Sequence, residues 1–343
     1  MRKILSVAAG GAFPGRFLLT FDHRNDLLQE KFALIFKSMG RFSGSALIFV
    51  LLLTGQWASG QGLEAAVAGG FRAMNLHWSI AGNSAGQSPN VYSELKWRRV
   101  GGFSADAAVR YRLGRRWVFF GEGTRLFPST GRVSDRDYSA DNRSGVLYSG
   151  DFSGSGGYGY SVGAGAGYRL WPGSRLEVVP AAGYAISGQR LTITDPGGLY
   201  DFLNSYYQTS WYGPFVRASV LWRSGRWRVS GMVTYHQVSY RAKADWNLIA
   251  DFDHPVSFRH RADGFGIEGE FRAGYRVCQG LEVVAAMSGN VWETGAGIDE
   301  LYRSGGAIQQ TRLNEVIMTG FGLHAGVRVG LASIAGKEVF GRR

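Results

Sequence analysis

The sequence lacks several features on which common classes of protein depend. Its 343 residues include one cysteine, Cys278, which excludes an internal disulfide and offers no metal-binding or redox motif. Charged residues make up only 19% of the chain, below ordinary globular usage. After residue 60 there is no run of about 20 apolar residues, so a membrane-spanning helix is excluded in that part of the chain.

What the sequence has in excess is glycine, with 51 residues, together with 14% aromatic residues. The glycines follow no period of three, which excludes collagen, and the aromatic content argues against disorder. Glycine and aromatic residues combined with weak overall hydrophobicity are typical of a membrane β-barrel, because its lipid-facing side is apolar only at alternate positions.

The N-terminal region resembles an export signal. Ala46–Leu53 reads ALIFVLLL, with Lys37 and Arg41 before it and the small residues of Ala58–Gly60 after it. A basic region, a short apolar core and a small-x-small site form a signal peptide. Because a start at Met39 gives a signal of normal length, we expect translation to begin there.

These features divide the chain into an N-terminal extension with a signal peptide at 1–60, a barrel at 61–331 and a C-terminal tail at 332–343. The formal net charge is +12, which favours anionic lipid headgroups or acidic partners. The basic residues are scattered and not clustered on one element, so we expect no nucleic-acid partner.

Alternation of residue character predicts β-strands. In Tyr158–Leu170, YGYSVGAGAGYRL, every second residue is apolar and the residues between them are small or polar. This period of two places an apolar face on one side of a strand. Charged residues on the opposite face suit a polar barrel lumen. The alternative is a soluble β-sandwich, which predicts neither the export signal nor the aromatic residues at strand ends.

Ten strands are predicted, at about 63–75, 91–112, 117–126, 158–170, 174–187, 211–223, 226–241, 264–277, 281–292 and 314–331. Long connections alternate with short ones, and the long ones lie at about 76–90, 127–157, 188–210, 242–263 and 293–313. We therefore predict an all-β fold, a transmembrane ten-stranded antiparallel up-and-down β-barrel with five long extracellular loops in the outer membrane of a Gram-negative-type envelope. So narrow a barrel is largely filled by side chains, which argues against a wide pore.

Four short segments resemble the omptin family of outer-membrane proteases. Gly131–Tyr138, GRVSDRDY, looks like the second-loop motif of that family, and Ser93–Trp97, SELKW, looks like the start of its second strand. Thr194–Tyr200, TDPGGLY, and Tyr207–Phe215, YQTSWYGPF, resemble its third-loop motif and the entrance to its sixth strand. The related group called Protochlamydia outer membrane protein would look similar.

The resemblance implies a peptidase mechanism that needs neither metal nor cofactor. In omptins an Asp–His couple in the fourth loop activates water opposite the second-loop Asp pair, which matches Asp135 and Asp137 here. The family register places Asp245 on the Asp of the couple and Asn247 where the His is expected. Asn cannot accept a proton. His254 is the candidate replacement base, provided that the loop is rearranged.

Two further departures remove specificity elements of the family. The first outer loop, NLHWSIAGNSAGQSPN, has no acidic residue where the family uses Glu to hold a basic substrate side chain. The third-loop arginine that omptins direct towards lipid A phosphates is replaced by Asp195 or Pro196. Three other histidines have simpler interpretations: His260 lies on the strand after the fourth loop, His77 is interfacial, and His324 forms hydrogen bonds inside the lumen.

Two functional hypotheses follow. The first is a non-catalytic or degenerate surface barrel for adhesion, envelope structure or partner binding, in contact with membrane lipid and lipopolysaccharide. The alternative is an aspartate-dependent endopeptidase of peptides or proteins at the extracellular mouth, with Asp135, Asp137, Asp245 and His254 as its catalytic residues. Because Asn247 removes the group with the largest chemical role, the first hypothesis is favoured.

Overall fold

The computed structural model describes residues 62–330, which form twelve antiparallel strands. No helix in this range is long and apolar enough to span a membrane. The predicted N-terminal extension, signal peptide and C-terminal tail lie outside the described residues. The strands are β1 Leu63–Ile80, β2 Ser93–Leu113, β3 Trp117–Ala140, β4 Ser144–Ser153, β5 Tyr158–Tyr168, β6 Leu176–Thr194, β7 Asn204–Ser224, β8 Trp227–Asp245, β9 Phe258–Cys278, β10 Leu281–Thr294, β11 Gly297–Tyr302 and β12 Ile308–Gly330.

The sheet closes on itself as a barrel. β1 pairs with β2 along one edge and with β12 along the other, in a register that runs from Glu64↔Gly330 to Ile80↔Leu313. β4 and β5 share the place between β3 and β6, and β10 and β11 share the place between β9 and β12. The ring therefore has ten strand positions, which confirms the predicted fold class.

The connections separate into two rims. The short turns at 114–116, 169–175, 225–226 and 279–280 lie at one end, here called the inner rim. The connections at 81–92, 141–143, 195–203, 246–257 and 303–307 lie at the other end, here called the outer rim. In outer-membrane barrels the end with short turns faces the periplasm.

The predicted lengths of the outer connections are wrong. β3 continues past residue 126 to Ala140 and forms a hairpin with β4, and β12 begins at Ile308 and not at 314. Outside the lipid both faces of a strand contact water or neighbouring loops. The apolar alternation is therefore no longer required there, although the ladder of backbone hydrogen bonds continues.

An apolar belt surrounds the middle of the barrel. Large apolar side chains are exposed on the outward face of neighbouring strands, a patch far larger than a soluble monomer tolerates. Lipid is the environment that suits such a surface. The belt includes Phe71, Phe103, Phe119, Val216, Val220, Val233, Ile267, Phe271, Met287, Phe321 and Leu323.

The interior changes character between the two rims. Towards the inner rim it is polar, with ion pairs such as Arg217–Glu122 and Arg328–Glu282, both at 2.6 Å. Towards the outer rim it is filled by an aromatic and aliphatic cluster, here called the aromatic plug, which includes Trp78, Trp97, Leu191, Tyr207, Trp211, Tyr240, Phe258, Trp292 and Leu313. The Trp97 ring stacks on Tyr207 with 5.4 Å between centroids. The plug fills the outer half of the lumen with side chains.

Candidate functional site

The two carboxylates of the second-loop motif lie on the inner face of β3 near the outer rim. Val133 on the same strand is buried in the aromatic plug, and strand alternation places Asp135 and Asp137 on the same face as Val133. Asp135 is opposite Leu95 of β2, which is also buried in the plug. The structure therefore directs both carboxylates of this motif towards the mouth of the barrel.

This environment favours the protonated form of both groups. Burial raises the pKa of the Asp135 carboxyl well above its usual range, and the charge of Asp137 raises it further. Burial also raises the pKa of Asp137, which a hydrogen bond from Ser93 partly opposes. Carboxyls close enough to interact in this way do not ionise independently. The pair can hold a proton at a pH where an ordinary aspartate has lost it.

The fourth-loop candidates form a hydrogen-bonded pair. Asp245 is the last residue of β8, and His254 lies in the connection to β9. The His254 Nδ1 lies 2.6 Å from Asp245 Oδ1, and the two side chains are 38% and 16% exposed. A carboxylate on one ring nitrogen fixes the tautomer and leaves the other nitrogen available as a base. The loop arrangement that this pairing requires is thus present.

The two pairs lie on different faces of the barrel wall. On β8 the inward positions are Ala242 and Ala244, which are buried, and Lys243 between them is exposed. Strand alternation puts Asp245 on the same side as Lys243. Within residues 62–330 no hydrogen bond or ion pair joins Asp135 or Asp137 to Asp245 or His254. The four predicted site residues therefore form two separate pairs.

Asn247 anchors the fourth loop. Its Oδ1 accepts hydrogen bonds from the Asn204 N–H and the Ser205 hydroxyl, both at 3.0 Å, and its Nδ2 donates to the Phe202 carbonyl oxygen at 2.8 Å. All of these partners belong to β7 or to the connection before it. The residue at the position expected for the catalytic His thus ties two outer connections together.

A buried polar network inside the plug was not predicted from the sequence. His260 is on β9, as expected, and is completely buried. Its Nδ1 lies 2.7 Å from Tyr207 Oη, and its Nε2 lies 3.1 Å from Asp299 Oδ1. Tyr207 Oη lies 2.6 Å from Tyr240 Oη, and the Thr311 hydroxyl donates to Asp299 at 2.9 Å. Asp299 on β11 and His260 on β9 are far apart in the sequence, and the residues around each of them do not indicate that the two side chains meet.

Two further histidines, His324 and His77, have polar partners. His324 lies in the lumen, with its Nε2 2.7 Å from Ser104 Oγ, which confirms its predicted hydrogen-bonding role. The interfacial position of His77 stays a prediction, and its side chain joins an ion cluster. Its Nε2 lies 3.4 Å from Glu94 Oε2 in an ion cluster that Lys96 and Arg143 complete at 2.8 and 2.9 Å from the carboxylate. The cluster forms because the tip of the β3–β4 hairpin reaches the start of β2.

The outward face of the barrel above the apolar belt is here called the outer wall. On it, basic side chains of neighbouring strands lie opposite one another. The cross-strand pairs Arg98↔Arg132, Arg241↔Arg261 and Lys243↔Arg259 each place two cations directly opposite. Such pairs are destabilising unless other charges compensate for them. Glu300 compensates Arg261 at 2.6 Å. On the neighbouring strands Arg190 lies over the Tyr206 ring at 3.6 Å from its centroid.

No group of His, Cys, Asp or Glu side chains in the described part of the chain has the arrangement of a metal site. The outer rim carries the two pairs, Asp135 with Asp137 and His254 with Asp245, together with the cations of the outer wall.

The fold resembles that of a solved outer-membrane enzyme. The structure of the outer membrane protease OmpT from Escherichia coli superposes with a TM-score of 0.63 at 14% sequence identity, over 78% of this chain and 96% of that one. The translocator domain of the autotransporter NalP from Neisseria meningitidis matches with a TM-score of 0.36 at 10% identity, over 88% of this chain and 97% of that one. At these identities the likeness concerns the fold alone. No curated protein matches the sequence.

The family described as Protochlamydia outer membrane protein matches residues 66–331, which include nearly all of the described barrel. Together with the closed sheet and its apolar belt, this match places the protein in the outer membrane, in contact with lipid. The chain belongs to the Protochlamydia outer membrane protein family.

Proposed function

We propose that this protein is a non-catalytic surface barrel whose basic outer wall binds the phosphate groups of lipopolysaccharide. The observation that carries the proposal is the division of the predicted site. Asp135 and Asp137 face the mouth, whereas Asp245 and His254 lie on the side of Lys243. Two groups on opposite faces of a wall cannot hold one water molecule between them, so the couple required for peptide hydrolysis is divided.

The inner face of β8 supports the same conclusion. Ala242 and Ala244 occupy the inward positions closest to the outer rim, and Trp246 packs against Phe258 at 4.7 Å between ring centroids. None of these side chains can accept a proton. A general base facing Asp135 would have to come from another element. His260 and His236, the two histidines that pack against plug residues between 62 and 330, are both buried.

Lipopolysaccharide binding follows from the like-charged pairs of the wall. Lys243 and Arg259 are opposite one another and both are exposed, as is Arg241. They lie just above the apolar belt, at the level where lipid headgroups meet water. Anionic phosphates there would relieve the repulsion between the opposed cations, and arginine binds phosphate through two parallel hydrogen bonds. Tyr206 and Tyr212, each beside an arginine, add aromatic surface at this level.

The test compares two variants of equal charge. The barrel is refolded in detergent with and without lipopolysaccharide, and its thermal unfolding is measured. We expect lipopolysaccharide to raise the Tm of the wild type, and Arg241→Gln/Lys243→Gln/Arg259→Gln to lose that rise. In the control, Arg115→Gln/Arg175→Gln/Arg226→Gln, the charges removed are near the inner rim, and the rise should persist. An equal response in both variants contradicts a role of the outer wall.

The peptidase alternative is favoured by one observation, the 2.6 Å contact between His254 and Asp245. The refolded barrel is incubated with a mixed peptide library, beside the variants Asp135→Ala/Asp137→Ala and His254→Ala. Absence of cleavage by the wild type supports the non-catalytic barrel. Cleavage that both variants abolish would replace it by an endopeptidase that uses the four predicted residues.

A further inference from the structure

Arg110 occupies an unusual position in the lumen. It lies on β2 close to the inner rim, and strand alternation places it on the inward face that also carries Ser104 and Asp106. Its cross-strand neighbour on β1 is Glu64, and its neighbour on β3 is Phe120. The guanidinium is thus held inside the barrel, where a charge requires a partner or water.

The other arginines of this part of the lumen have carboxylate partners. Glu64 pairs with Arg112 and Arg228 and does not pair with Arg110. The remaining pairs are Arg228–Glu282 at 3.8 Å, Arg328–Glu282 at 2.6 Å, Arg272–Glu270 at 2.9 Å, Arg217–Glu122 at 2.6 Å, and Arg169 and Arg223 with Glu177. Within residues 62–330, Arg110 forms no hydrogen bond or ion pair with a carboxylate.

The charges around Arg110 leave a local positive excess. Arg228 contacts Glu64, the cross-strand neighbour of Arg110, at 3.5 Å, and Glu122 lies two residues along β3 from Phe120, the other cross-strand neighbour. Glu122 accepts two hydrogen bonds from Arg217, at 2.6 and 3.1 Å, and is therefore already neutralised.

The ion pairs Arg112–Glu64, Glu64–Arg228, Arg228–Glu282 and Glu282–Arg328 join three arginines and two glutamates, an excess of one positive charge. Arg272 and Glu270 neutralise each other in a separate pair. Unpaired Arg110 raises the excess to two positive charges.

We propose that Arg110 is the centre of a binding site for a tetrahedral oxyanion, either inorganic phosphate or the phosphate of a small phosphomonoester. Two uncompensated positive charges match the charge of such an ion at neutral pH. A guanidinium without a carboxylate presents its planar fork of N–H donors to oxygen acceptors. Arg228, which contacts Glu64 next to Arg110, supplies further positive charge.

The ligand reaches this site from the inner rim. The aromatic plug fills the outer half of the lumen, with Trp97, Tyr207 and Trp211 completely buried. Arg110, in contrast, is only half-buried, and among residues 62–330 the connections at the inner rim are short turns. The site therefore faces the periplasm, whereas the basic outer wall faces the outer leaflet. The two anion sites are independent.

The experiment is a titration of the refolded barrel with inorganic phosphate, followed by isothermal calorimetry at constant ionic strength. We expect saturable binding to the wild type and a saturable rise in Tm over the same concentrations. Arg110→Gln should weaken binding about tenfold or more, the loss expected for one hydrogen bond to a charged group. Arg115→Gln, which removes an equal charge from a turn of the same rim, should bind as the wild type does.

Two further arms complete the test. Titration with glycerol phosphate distinguishes a phosphomonoester from the free ion as the preferred ligand. Arg110→Lys keeps the positive charge but removes the paired N–H donors of the guanidinium, so it should weaken binding less than Arg110→Gln. If Arg110→Gln does not refold, Arg110→Lys is the variant to measure. The proposal is overturned if the wild type shows no saturable binding up to about 50 mM phosphate, or if Arg110→Gln and Arg115→Gln bind equally well.

Discussion

His254 Nδ1 lies 2.6 Å from Asp245 Oδ1, although nine residues separate them along the chain. Asn247, only two residues after Asp245, is directed elsewhere and bonds to Phe202, Asn204 and Ser205. The fourth outer connection therefore has two attachments, one at an exposed ion pair and one at an amide that is bonded on both its oxygen and its nitrogen.

These two attachments differ in their contribution to stability. Asn247→Ala removes three hydrogen bonds, each worth about 0.5–1.5 kcal/mol, so we expect the free energy of unfolding to fall by about 1.5–4.5 kcal/mol. His254→Ala breaks an exposed pair, and exposed pairs are worth about 1 kcal/mol or less. Urea unfolding of the barrel in lipid, followed by tryptophan fluorescence, measures both. A larger loss for His254→Ala would show that the His–Asp pair is the stronger attachment.

The raised pKa of Asp135 predicts a pH dependence. The folded chain holds a proton on this carboxyl at a pH where the unfolded chain, with a pKa of about 3.9, has released it. The free energy of unfolding therefore falls as pH rises from about 4 through the raised pKa. Asp135→Asn removes this penalty, so it should be more stable than the wild type at pH 7, and the difference should vanish near pH 4. A difference that is constant with pH would contradict the raised pKa.

The Glu94 cluster predicts the opposite slope. Burial tends to raise the pKa of Glu94, but hydrogen bonds from His77, Lys96 and Arg143 outweigh it and hold the pKa well below its usual range. The stabilisation is complete above the unfolded pKa of about 4.3 and is lost as pH falls through the lower folded value.

Glu94→Gln should therefore cost about 1–2 kcal/mol at pH 7, less than a fully buried pair because the cations are partly exposed to solvent. The same unfolding measurement at pH 3 should give a smaller loss. If the loss is equal at both pH values, the contribution of Glu94 is not that of its charge.

The aromatic plug predicts a contrast between two aromatic residues of the outer half. Trp97 is completely buried and stacks on Tyr207, so Trp97→Ala should lower the free energy of unfolding by about 3–5 kcal/mol. Phe202 is 91% exposed in the connection before β7, and Phe202→Ala should change it by less than about 0.5 kcal/mol. Equal losses would mean that the plug is not a packed core.

The strands that cross the apolar belt were predictable because two environments act on each of them. A strand such as β5, with lipid on one side and a polar lumen on the other, must alternate in residue character, and Tyr158–Tyr168 does so without exception. The outer part of β3 has no such constraint. The sequence pattern predicts a loop at Asp135 and Asp137, yet these residues alternate with Ser134 and Arg136 in a regular ladder against β2 and β4.

Contacts between side chains that are distant in the sequence could not be predicted in this way. His254 was the less favoured base because register alone placed Asn247 there, and the pairing depends on how the connection at 246–257 folds back over the end of β8. His260 and Asp299 come from β9 and β11 and meet only because β11 continues the barrel position of β10. Spacing along the chain carries no information about such contacts.

The amino-acid order by itself determined that this chain closes into a ten-position barrel in a membrane. Lipid on the outer face and water on the inner face of each strand require apolar and polar residues to alternate. The tertiary structure decided which acids face the mouth, which histidine meets which carboxylate and which lumen arginine lacks a partner. Those outcomes depend on separations of a few ångströms between residues far apart in sequence, and only the folded chain sets them.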